Sequence, residues 1–293
     1  MKPAPFKYEA PESLVDALEL LGEYGDEAKA LAGGQSLIPA MNFRLVQPAV
    51  LIDLNRVSEL FYLRLEHSGE LRIGAMTRQR ALERDDAVRQ PFLLIAETMP
   101  FIAHPQIRNR GTVGGSLAHA DPAAELPAVM VALKAQFRLQ SRDGERMLPA
   151  EDFFTGFFET ALQPGELLTE IRVPPQPQRC GCAFQEMARR HGDYALAGVA
   201  VVLEFDENDI CREARIVYLS MGGGPERGVT AERMLAGETL TRERIHDAAA
   251  ETAARDLDPP GDIHASAEFR RHLAKVLTIR TITTAAQRAG IKL

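Results

Sequence analysis

Two glycine pairs, each followed by a small polar residue and then by apolar residues, constrain this chain more than any other feature. They lie in LAGGQSLIPAMNFRL (31–45) and RGTVGGSLAHADPAAELP (110–127). Glycine has no Cβ, so it accepts a positive φ and lets another group lie directly against its backbone. Each pair therefore predicts a tight bend at which a ligand or another segment approaches the main chain.

Both bends have the chemistry of an anion site. Successive N–H groups in a bend form a concave cradle, and the N-terminus of a following helix adds partial positive charge. Ser36, Thr112 and Ser116 add hydroxyl groups. Neither bend contains a lysine or matches G-x-x-x-x-G-K-[ST] or G-x-G-x-x-G. Two uncharged bends predict a pyrophosphate held from two sides, although a single glycine pair is more often a plain turn. A third run, MGGGPERG (221–228), has no matched partner and predicts only a turn between a strand and a helix.

The apolar pattern predicts short strands and helices around these bends. A helix is expected in PESLVDALELLGEYG, where Ser13 and Asp16 match a capping box. A second helix is expected to begin at a Thr77 cap and to run through Leu82. The other predicted elements up to residue 174 are strands at AKALAGG, AVLIDLN (49–55) and ELLTEIRVP, hairpins turning at Ser68-Gly69 and Asp143-Gly144, and helices over 91–100 and from Pro122 to Leu133.

A Pro-rich, polar stretch, PPQPQRCG (174–181), predicts a domain boundary. About three strands follow it, and helical patterns then occupy 229–236, 241–256 and 266–289. A three-stranded sheet with helices on one side fits this last third of the chain.

Composition excludes several classes of protein. The 293 residues carry a net charge of −7 and no Lys/Arg block, which argues against a nucleic-acid partner. No apolar run approaches the roughly 18–20 residues that span a bilayer. The N-terminal MKPAPFKYEA has no apolar signal core, so a cytoplasmic location is expected.

The three cysteines argue against a disulfide framework and against an iron–sulfur cluster. They are Cys180, Cys182 and Cys211. Their number is odd, and a cluster normally needs four thiolates. Cys180-Gly-Cys182 leaves open a partial metal site, but two thiols near the start of a strand are the plainer interpretation.

With both bends in view, the sequence resembles the FAD-binding medium subunit of the molybdenum hydroxylases. This group contains aerobic carbon monoxide dehydrogenase and the flavin domain of xanthine dehydrogenase. The likeness covers essentially the whole chain, and it is carried by AGGQSLIPAMNFRL, IDLNRV, IRNRGTVGGSLAHADPAAELP and RRHGDYALAGVA.

The resemblance implies an α+β fold. It consists of a two-lobed FAD-binding domain of the molybdenum hydroxylase/vanillyl-alcohol-oxidase-like type, followed by a C-terminal three-stranded sheet with helices. The expected divisions are FAD-binding subdomain 1 over 1–56, FAD-binding subdomain 2 over 57–176 and a C-terminal α/β domain over 177–293.

The resemblance also implies which residues hold FAD. They are Ala32, Gly33, Gly34, Gln35, Ser36 and Leu37 in the first bend, Thr112, Val113, Gly114, Gly115 and Ser116 in the second, and Glu125, Leu168, Gln185 and Tyr194 elsewhere. Gln185 stands where some relatives use lysine, so a fixed positive charge is missing there. Tyr194 matches an aromatic residue that lies over the isoalloxazine ring in part of the family. No catalytic residue and no metal ligand is expected in this chain.

Plainer structural roles remain open beside these. Glu125 lies near a predicted helix start, where the helix dipole favours an acid. Leu168 fits a strand core, and Tyr194 fits a surface groove. Arg108 and Arg110 flank the second bend, where they either anchor it through salt bridges or face a partner. His119 follows Ser116 and is expected to be a hydrogen-bonded structural residue.

The function implied by the resemblance is electron transfer within a heterotrimeric molybdenum hydroxylase. A molybdopterin-binding large subunit would hold the molybdenum cofactor and oxidise the substrate. A small subunit would hold two [2Fe-2S] clusters, from which electrons reach FAD in this chain and then a terminal acceptor. A dimer of heterotrimers is compatible with the family. The lack of H-E-x-x-H and G-x-S-x-G motifs agrees with this, because the flavin supplies the difficult chemistry.

Two alternatives of other kinds stay open. A stand-alone flavin reductase on the same fold, such as the cell-wall enzyme that reduces enolpyruvyl-UDP-N-acetylglucosamine, would need its own proton donor and a different C-terminal domain. A flavin-free assembly module would only dock partners and would not retain FAD.

Overall fold

The computed structural model describes residues 2–293, apart from the side chain of Ala87, and its long strands form three successive sheets. The first is a parallel sheet of three strands in the order β1-β3-β2. The elements of this part are β1 (Lys7–Glu9), α1 (Leu14–Tyr24), β2 (Ala28–Leu31), α2 (Leu37–Asn42) and β3 (Val50–Asp53).

Helix α1 forms where the sequence predicts it. The Ser13 hydroxyl accepts a hydrogen bond from the Asp16 N–H at 3.1 Å and so satisfies one of the free donors at the helix start. Leu18 and Leu21 then lie on the buried face and pack with β3 in a small apolar core. The predicted strands at AKAL and AVLIDLN are β2 and β3.

The second sheet is antiparallel, with five strands in the order β4-β5-β10-β6-β7. Six short helices between β5 and β6 cover it. The elements are β4 (Leu63–Leu65), β5 (Leu71–Gly74), α3 (Gln79–Arg84), α4 (Asp86–Arg89), α5 (Leu93–Thr98), α6 (Pro105–Arg108), α7 (Val113–His119), α8 (Glu125–Ala132), β6 (Gln136–Ser141), β7 (Gly144–Pro149), α9 (Ala150–Phe153), β8 (Phe154–Gly156), β9 (Glu159–Thr160) and β10 (Leu167–Val173).

The predicted Thr77 cap is wrong. Helix α3 begins at Gln79 after Arg78, with no side-chain cap, and the Thr77 hydroxyl instead donates to the carbonyl oxygen of Tyr62 at 2.7 Å. A threonine side chain competes for any backbone acceptor within reach, so its capping role is decided by tertiary position. The helix predicted from Pro122 begins three residues later, at Glu125.

The third sheet is formed by three long antiparallel strands, as predicted, with two short strands that both pair with the third long strand. The elements are β11 (Cys180–Ala188), β12 (Ala195–Phe205), β13 (Ile210–Leu219), β14 (Glu226–Arg227), α10 (Val229–Leu235), β15 (Glu238–Thr239), α11 (Arg242–Arg255) and α12 (Ala267–Arg288). The glycine run at 221–228 lies between β13 and α10, as predicted, and its glycines form the bend that leads into the short strand β14.

The third sheet is buried on both faces. One face, which includes Val199 and Tyr218, packs under the C-terminal helices, and the other, which includes Phe184 and Leu219, joins the core of the second sheet. Because side chains alternate along a strand, neighbouring residues of β11 face different cores. The third sheet therefore contributes side chains to two cores, that of the second sheet and that under the C-terminal helices.

Arg108 anchors the segment before the second bend. It is 4% exposed, and its guanidinium donates to both carboxylate oxygens of Glu83, at 2.9 and 3.0 Å, and to the carbonyl oxygen of Ile102 at 2.7 Å. This contact agrees with the anchoring role for Arg108. Such a buried pair is costly to break, because Glu83 then keeps only its contact with Arg80 and the Ile102 carbonyl loses its donor.

We therefore expect Arg108→Met to lower the free energy of unfolding by about 3 kcal/mol, since Glu83 loses its bidentate partner. Urea denaturation checks the value. Arg89→Met is the matched control. Arg89 is exposed, and its guanidinium lies 3.9 Å from the Asp86 carboxylate. The loss of this ion pair should lower the free energy of unfolding by no more than about 0.5 kcal/mol. Equal effects of the two substitutions would contradict the anchoring role.

Candidate functional site

The two glycine bends lie against each other, backbone to backbone. A Cβ added to Gly33 would lie 2.4 Å from the carbonyl oxygen of Arg110 and 2.8 Å from the Cα of Gly111. A Cβ added to Gly115 would lie 3.1 Å from the Cβ of Ala32. The packing of the two bends therefore explains in part why glycine occurs there, because a side chain on either bend would clash with the other bend.

A short series of hydrogen bonds through the side chains of Asn55 and Arg78 connects the two bends. The Asn55 amide donates to the carbonyl oxygen of Ala32 at 2.9 Å, and its Oδ1 accepts from the Arg78 guanidinium at 2.6 Å. Arg78 also donates to the carbonyl oxygen of Arg110 in the second bend. The sequence analysis assigned no role to Asn55 or Arg78. The IDLNRV stretch held a signal for Asn55, because a polar residue directly after a buried strand reaches the sheet edge where the bend lies.

The first bend offers free donors. Gly34 has φ of +75°, a conformation that L side chains rarely adopt. Within residues 2–293, the backbone N–H groups of Gly34, Gln35 and Ser36 have no protein acceptor. Ser36 precedes α2, but its exposed hydroxyl makes no capping bond. These groups can therefore bind an anion, as a turn of this kind does elsewhere.

The second bend differs, because its backbone donors are occupied by the protein. The N–H groups of Val113 and Gly114 donate to the carbonyl oxygens of Thr77 and Ala75, at 2.9 and 2.8 Å. The Gly115 N–H donates to the Thr112 hydroxyl at 3.0 Å, so Thr112 caps α7. The two bends are thus not equivalent cradles: the first presents donors, and the second is a rigid support with a serine, Ser116, at its end.

Next to the second bend, residues 121–125 contact the third sheet. We call this contact the seam. The Ser220 N–H donates to the carbonyl oxygen of Pro122 at 2.8 Å, and the Ser220 hydroxyl donates to that of Ala195, also at 2.8 Å. Glu125 is buried at the start of α8, and burial raises its pKa to about 7. Tyr194, next to Ala195, is 72% exposed.

The Ser220 hydrogen bond to Ala195, the residue after Tyr194, places Tyr194 near the same seam. Partial desolvation, followed by the carboxylates of Asp121 and Glu125, raises the pKa of Tyr194. Ser220 binds both Pro122 and Ala195, so the structure places Tyr194 beside the segment that leads into Glu125 and α8. His119, in the same region, packs its ring against Phe158 with centroids 5.0 Å apart, and burial lowers its pKa. This contact fits a structural role for His119.

Leu168 and Gln185 are not brought to this seam in the same way. Leu168 is buried in β10 opposite Leu139 of β6, as a member of the core. Gln185 pairs with Val199, on the face of the third sheet that the C-terminal helices cover. Its neighbour Glu186 lies on the opposite face, and the carboxylate of Glu125 acts on it. Of these two residues, Glu186 is the one on the side of the seam, and the contact of Gln185 with the cofactor stays a prediction.

The part of the chain that the structure describes has neither a cluster of metal-binding side chains nor a helix that could cross a membrane. Residues 2–293 contain no group of three or more His, Cys, Asp or Glu side chains arranged to hold a metal ion. Cys180, Cys182 and Cys211 are free thiols. No helix among these residues is both long and apolar enough to cross a membrane.

Comparison with known proteins agrees with this geometry. Residues 4–176 match the FAD binding domain in molybdopterin dehydrogenase, and residues 182–285 match the CO dehydrogenase flavoprotein C-terminal domain. The chain therefore belongs to the family of FAD-binding medium subunits of molybdenum hydroxylases and is a subunit of an oxidoreductase.

Particular relatives match over nearly their full length. The chain is 44% identical to the 6-hydroxypseudooxynicotine dehydrogenase complex subunit alpha of Paenarthrobacter nicotinovorans, over 99% of this chain and 97% of that one. It is 42% identical to the caffeine dehydrogenase subunit beta of Pseudomonas sp. (strain CBB1), over 98% and 97%. A solved structure of carbon monoxide dehydrogenase from Hydrogenophaga pseudoflava superposes with a TM-score of 0.94 at 39% identity, over 98% and 99% of the two chains. The fold and the expected cofactor, FAD, are thereby confirmed.

The contact between the bends yields a direct test. Gly33→Ala should lower the free energy of unfolding by about 1–3 kcal/mol, because the methyl group meets a backbone oxygen that cannot rotate away. Urea denaturation measures it. In Gly261→Ala, the added Cβ would lie 3.4 Å from its nearest neighbour, so this control should change stability by less than about 0.5 kcal/mol. A Gly33→Ala protein as stable as the control would show that the bends are not in contact.

Proposed function

We propose that this chain is the electron-transferring FAD subunit of a heterotrimeric molybdenum hydroxylase. It takes electrons from the [2Fe-2S] clusters of a small subunit and passes them through FAD to a terminal acceptor. The observation that carries the proposal is the junction of the two glycine bends, where the N–H groups of Gly34, Gln35 and Ser36 have no protein acceptor.

The residues at the junction fit the diphosphate of FAD. The first bend supplies three backbone N–H donors and the Ser36 hydroxyl, and Ser116 can add a hydroxyl from the second bend. Neither bend contributes a lysine. Arg78, bound to the carbonyl oxygen of Arg110 and to Asn55, adds a guanidinium charge directly behind the junction. A rigid set of donors with a nearby positive charge suits a diphosphate, whose charge is held by fixed dipoles and cations.

The seam fits the flavin end of the cofactor. Tyr194 offers an exposed aromatic face, and burial raises the pKa of the Glu125 carboxyl at the start of α8. Bound FAD supplies the redox chemistry, since it accepts electrons singly and passes them on. The chain itself orients the cofactor and excludes water from one of its sides. In this proposal the domains divide at 56/57 and 176/177, which is supported by the separate sheets before and after these points.

The partners in the proposal follow the relatives. Several are named as one subunit of a larger complex, such as a dehydrogenase complex subunit alpha or a medium chain. A molybdopterin-binding large subunit and a [2Fe-2S] small subunit would complete a heterotrimer, and two heterotrimers would form the full assembly. We place the complex in the cytoplasm. The substrate would bind in the large subunit and leaves no trace in this chain.

The two alternative functions have less support. A stand-alone flavin reductase would need a different C-terminal domain, whereas residues 182–285 match that of the CO dehydrogenase flavoprotein. An assembly module without flavin would have no use for the unpaired N–H groups of the first bend.

The proposal predicts that the purified chain, alone or with its partners, carries the visible absorption of bound FAD. Gly34→Val and Gly115→Val should lose it. Position 34 has a positive φ that a β-branched residue does not readily adopt, and a side chain at 115 would meet Thr112 Oγ1 and Ala32. Gly261→Val should retain it, and circular dichroism should show that all three variants fold. A colourless complex with full activity would refute the proposal.

A further inference from the structure

Exposed cationic side chains surround Tyr194 on the surface of the molecule. The segment from Arg189 to Tyr194 joins β11 to β12, and it meets His104, which precedes α6, and the loop at 262–264, which precedes α12. We call this surface the cationic face. It consists of His104, Arg189, Arg190, His191, Asp193, Tyr194, Ile263 and His264.

Side-chain contacts join the three segments of the cationic face. The Arg189 guanidinium lies 2.9 Å from His264 Nδ1 and donates to the Asp193 carboxylate, also at 2.9 Å. The rings of His104 and His191 stack with their centroids 6.2 Å apart. The face is therefore one continuous surface, built from three segments that are distant in the sequence.

The outward charge of the face is positive, although the whole chain carries a net charge of −7. The Arg190 side chain is 81% exposed, whereas that of Asp193 is 12% exposed and is bound to Arg189. Asp262, in the loop before α12, binds the buried Arg270. A positive region on an acidic protein attracts negatively charged partners and steers their approach.

Two large side chains protrude among these charges. Tyr194 is 72% exposed and Ile263 is 93% exposed. Permanent subunit interfaces are mostly apolar and carry few charges at their centre, whereas weak redox encounters are small and are guided by charge. A few apolar groups among exposed cations therefore favour a partner that docks briefly over a permanent subunit.

We propose that the cationic face docks a small acidic electron-carrier protein, which is the terminal acceptor of the complex. The inference rests on the proposed function, in which Tyr194 lies at the flavin end of the cofactor. Two molecules of the carrier, one after the other, each take one electron from the two-electron reduced cofactor, whose two protons go to solvent. Charge complementarity brings the carrier to the face, and Tyr194 and Ile263 are its apolar contacts.

Binding of a probe carrier to the full chain tests the charge complementarity. The probe is an acidic plastocyanin, a small blue-copper protein that carries one electron. Its dissociation constant, measured by biolayer interferometry, should rise about tenfold between about 20 mM and about 300 mM salt, because salt screens the attraction. At low salt, Arg190→Glu should raise it about tenfold and Ile263→Asp about fivefold.

The matched controls carry the same kinds of change on exposed side chains elsewhere. Arg212 is 66% exposed and lies at the end of the β12–β13 hairpin far from Tyr194. Val15 is 66% exposed and lies on α1. Arg212→Glu and Val15→Asp should leave the affinity for plastocyanin within about twofold of the wild-type value, since neither residue belongs to the cationic face.

The holo-complex gives a second measurement. After anaerobic reduction with dithionite, the complex that carries Arg190→Glu should reduce plastocyanin about tenfold more slowly at low salt than the wild-type complex does. Its reduction of an uncharged quinone should be unchanged, because a small neutral acceptor does not depend on the charge of the face. The rates are followed by stopped-flow absorption.

Several results overturn the inference while the proposed function stands. They are an affinity that salt or Arg190→Glu leaves unchanged, and equal rates of plastocyanin reduction with and without this substitution. Slower reduction of both acceptors would instead assign the face to the flavin itself. Loss of the partner subunits from the Arg190→Glu complex in gel filtration would assign it to a subunit interface. A wild-type complex that holds no FAD overturns the proposed function and this inference together.

Discussion

The contact of two backbones is the constraint on which the site depends. The bends at Gly33 and Gly115 come from different sheets and different parts of the chain, yet no side chain separates them. Asn55 and Arg78 then tie the carbonyl oxygens of both bends into one hydrogen-bonded unit. The close approach of Gly33 to Arg110 and Gly111 is made by backbone atoms, so it sets the spacing of the bends, and the side chains of Asn55 and Arg78 reinforce it.

This arrangement gives the bends unequal roles. In the second bend, the N–H groups donate to the carbonyl oxygens of Thr77 and Ala75 and to the Thr112 hydroxyl. These bonds fix the shape of the bend. The first bend keeps its donors free and is held in place by the second. A binding site in which one wall is fully satisfied and the other presents unpaired donors is preorganised, since little must rearrange when an anion arrives. The third sheet completes the site from behind through Ser220 and Pro122.

Much of the fold could be read from the sequence. The Ser13 cap, the turns at Gly69 and Gly144 and the long apolar strands of the last third are local signals, and the structure has them all. The Thr77 cap failed because Thr77 found a tertiary acceptor in Tyr62. The bends were recognised, but their mutual contact depends on packing between two sheets, which no local pattern encodes.

The side chains of the site were harder to predict than its bends. Gln185 and Glu186 differ by one position, and in a strand one position changes the face. Gln185 therefore lies on the side of the C-terminal helices and Glu186 on the side of the second core, and the assignment of Gln185 to the cofactor stays a prediction. Arg78 was missed for a different reason, because a lone arginine between a strand and a short helix has no pattern of its own until its acceptors on Arg110 and Asn55 are in place.

The distance in sequence between the bends has a consequence for how the protein is made. The first bend leaves the ribosome long before the segment around Gly115, against which it must rest. The junction cannot exist until both sheets have formed, so a nascent chain that ends before the second bend has no grip on a diphosphate. If the junction holds the diphosphate as proposed, FAD can be bound only after the second bend has docked on the first.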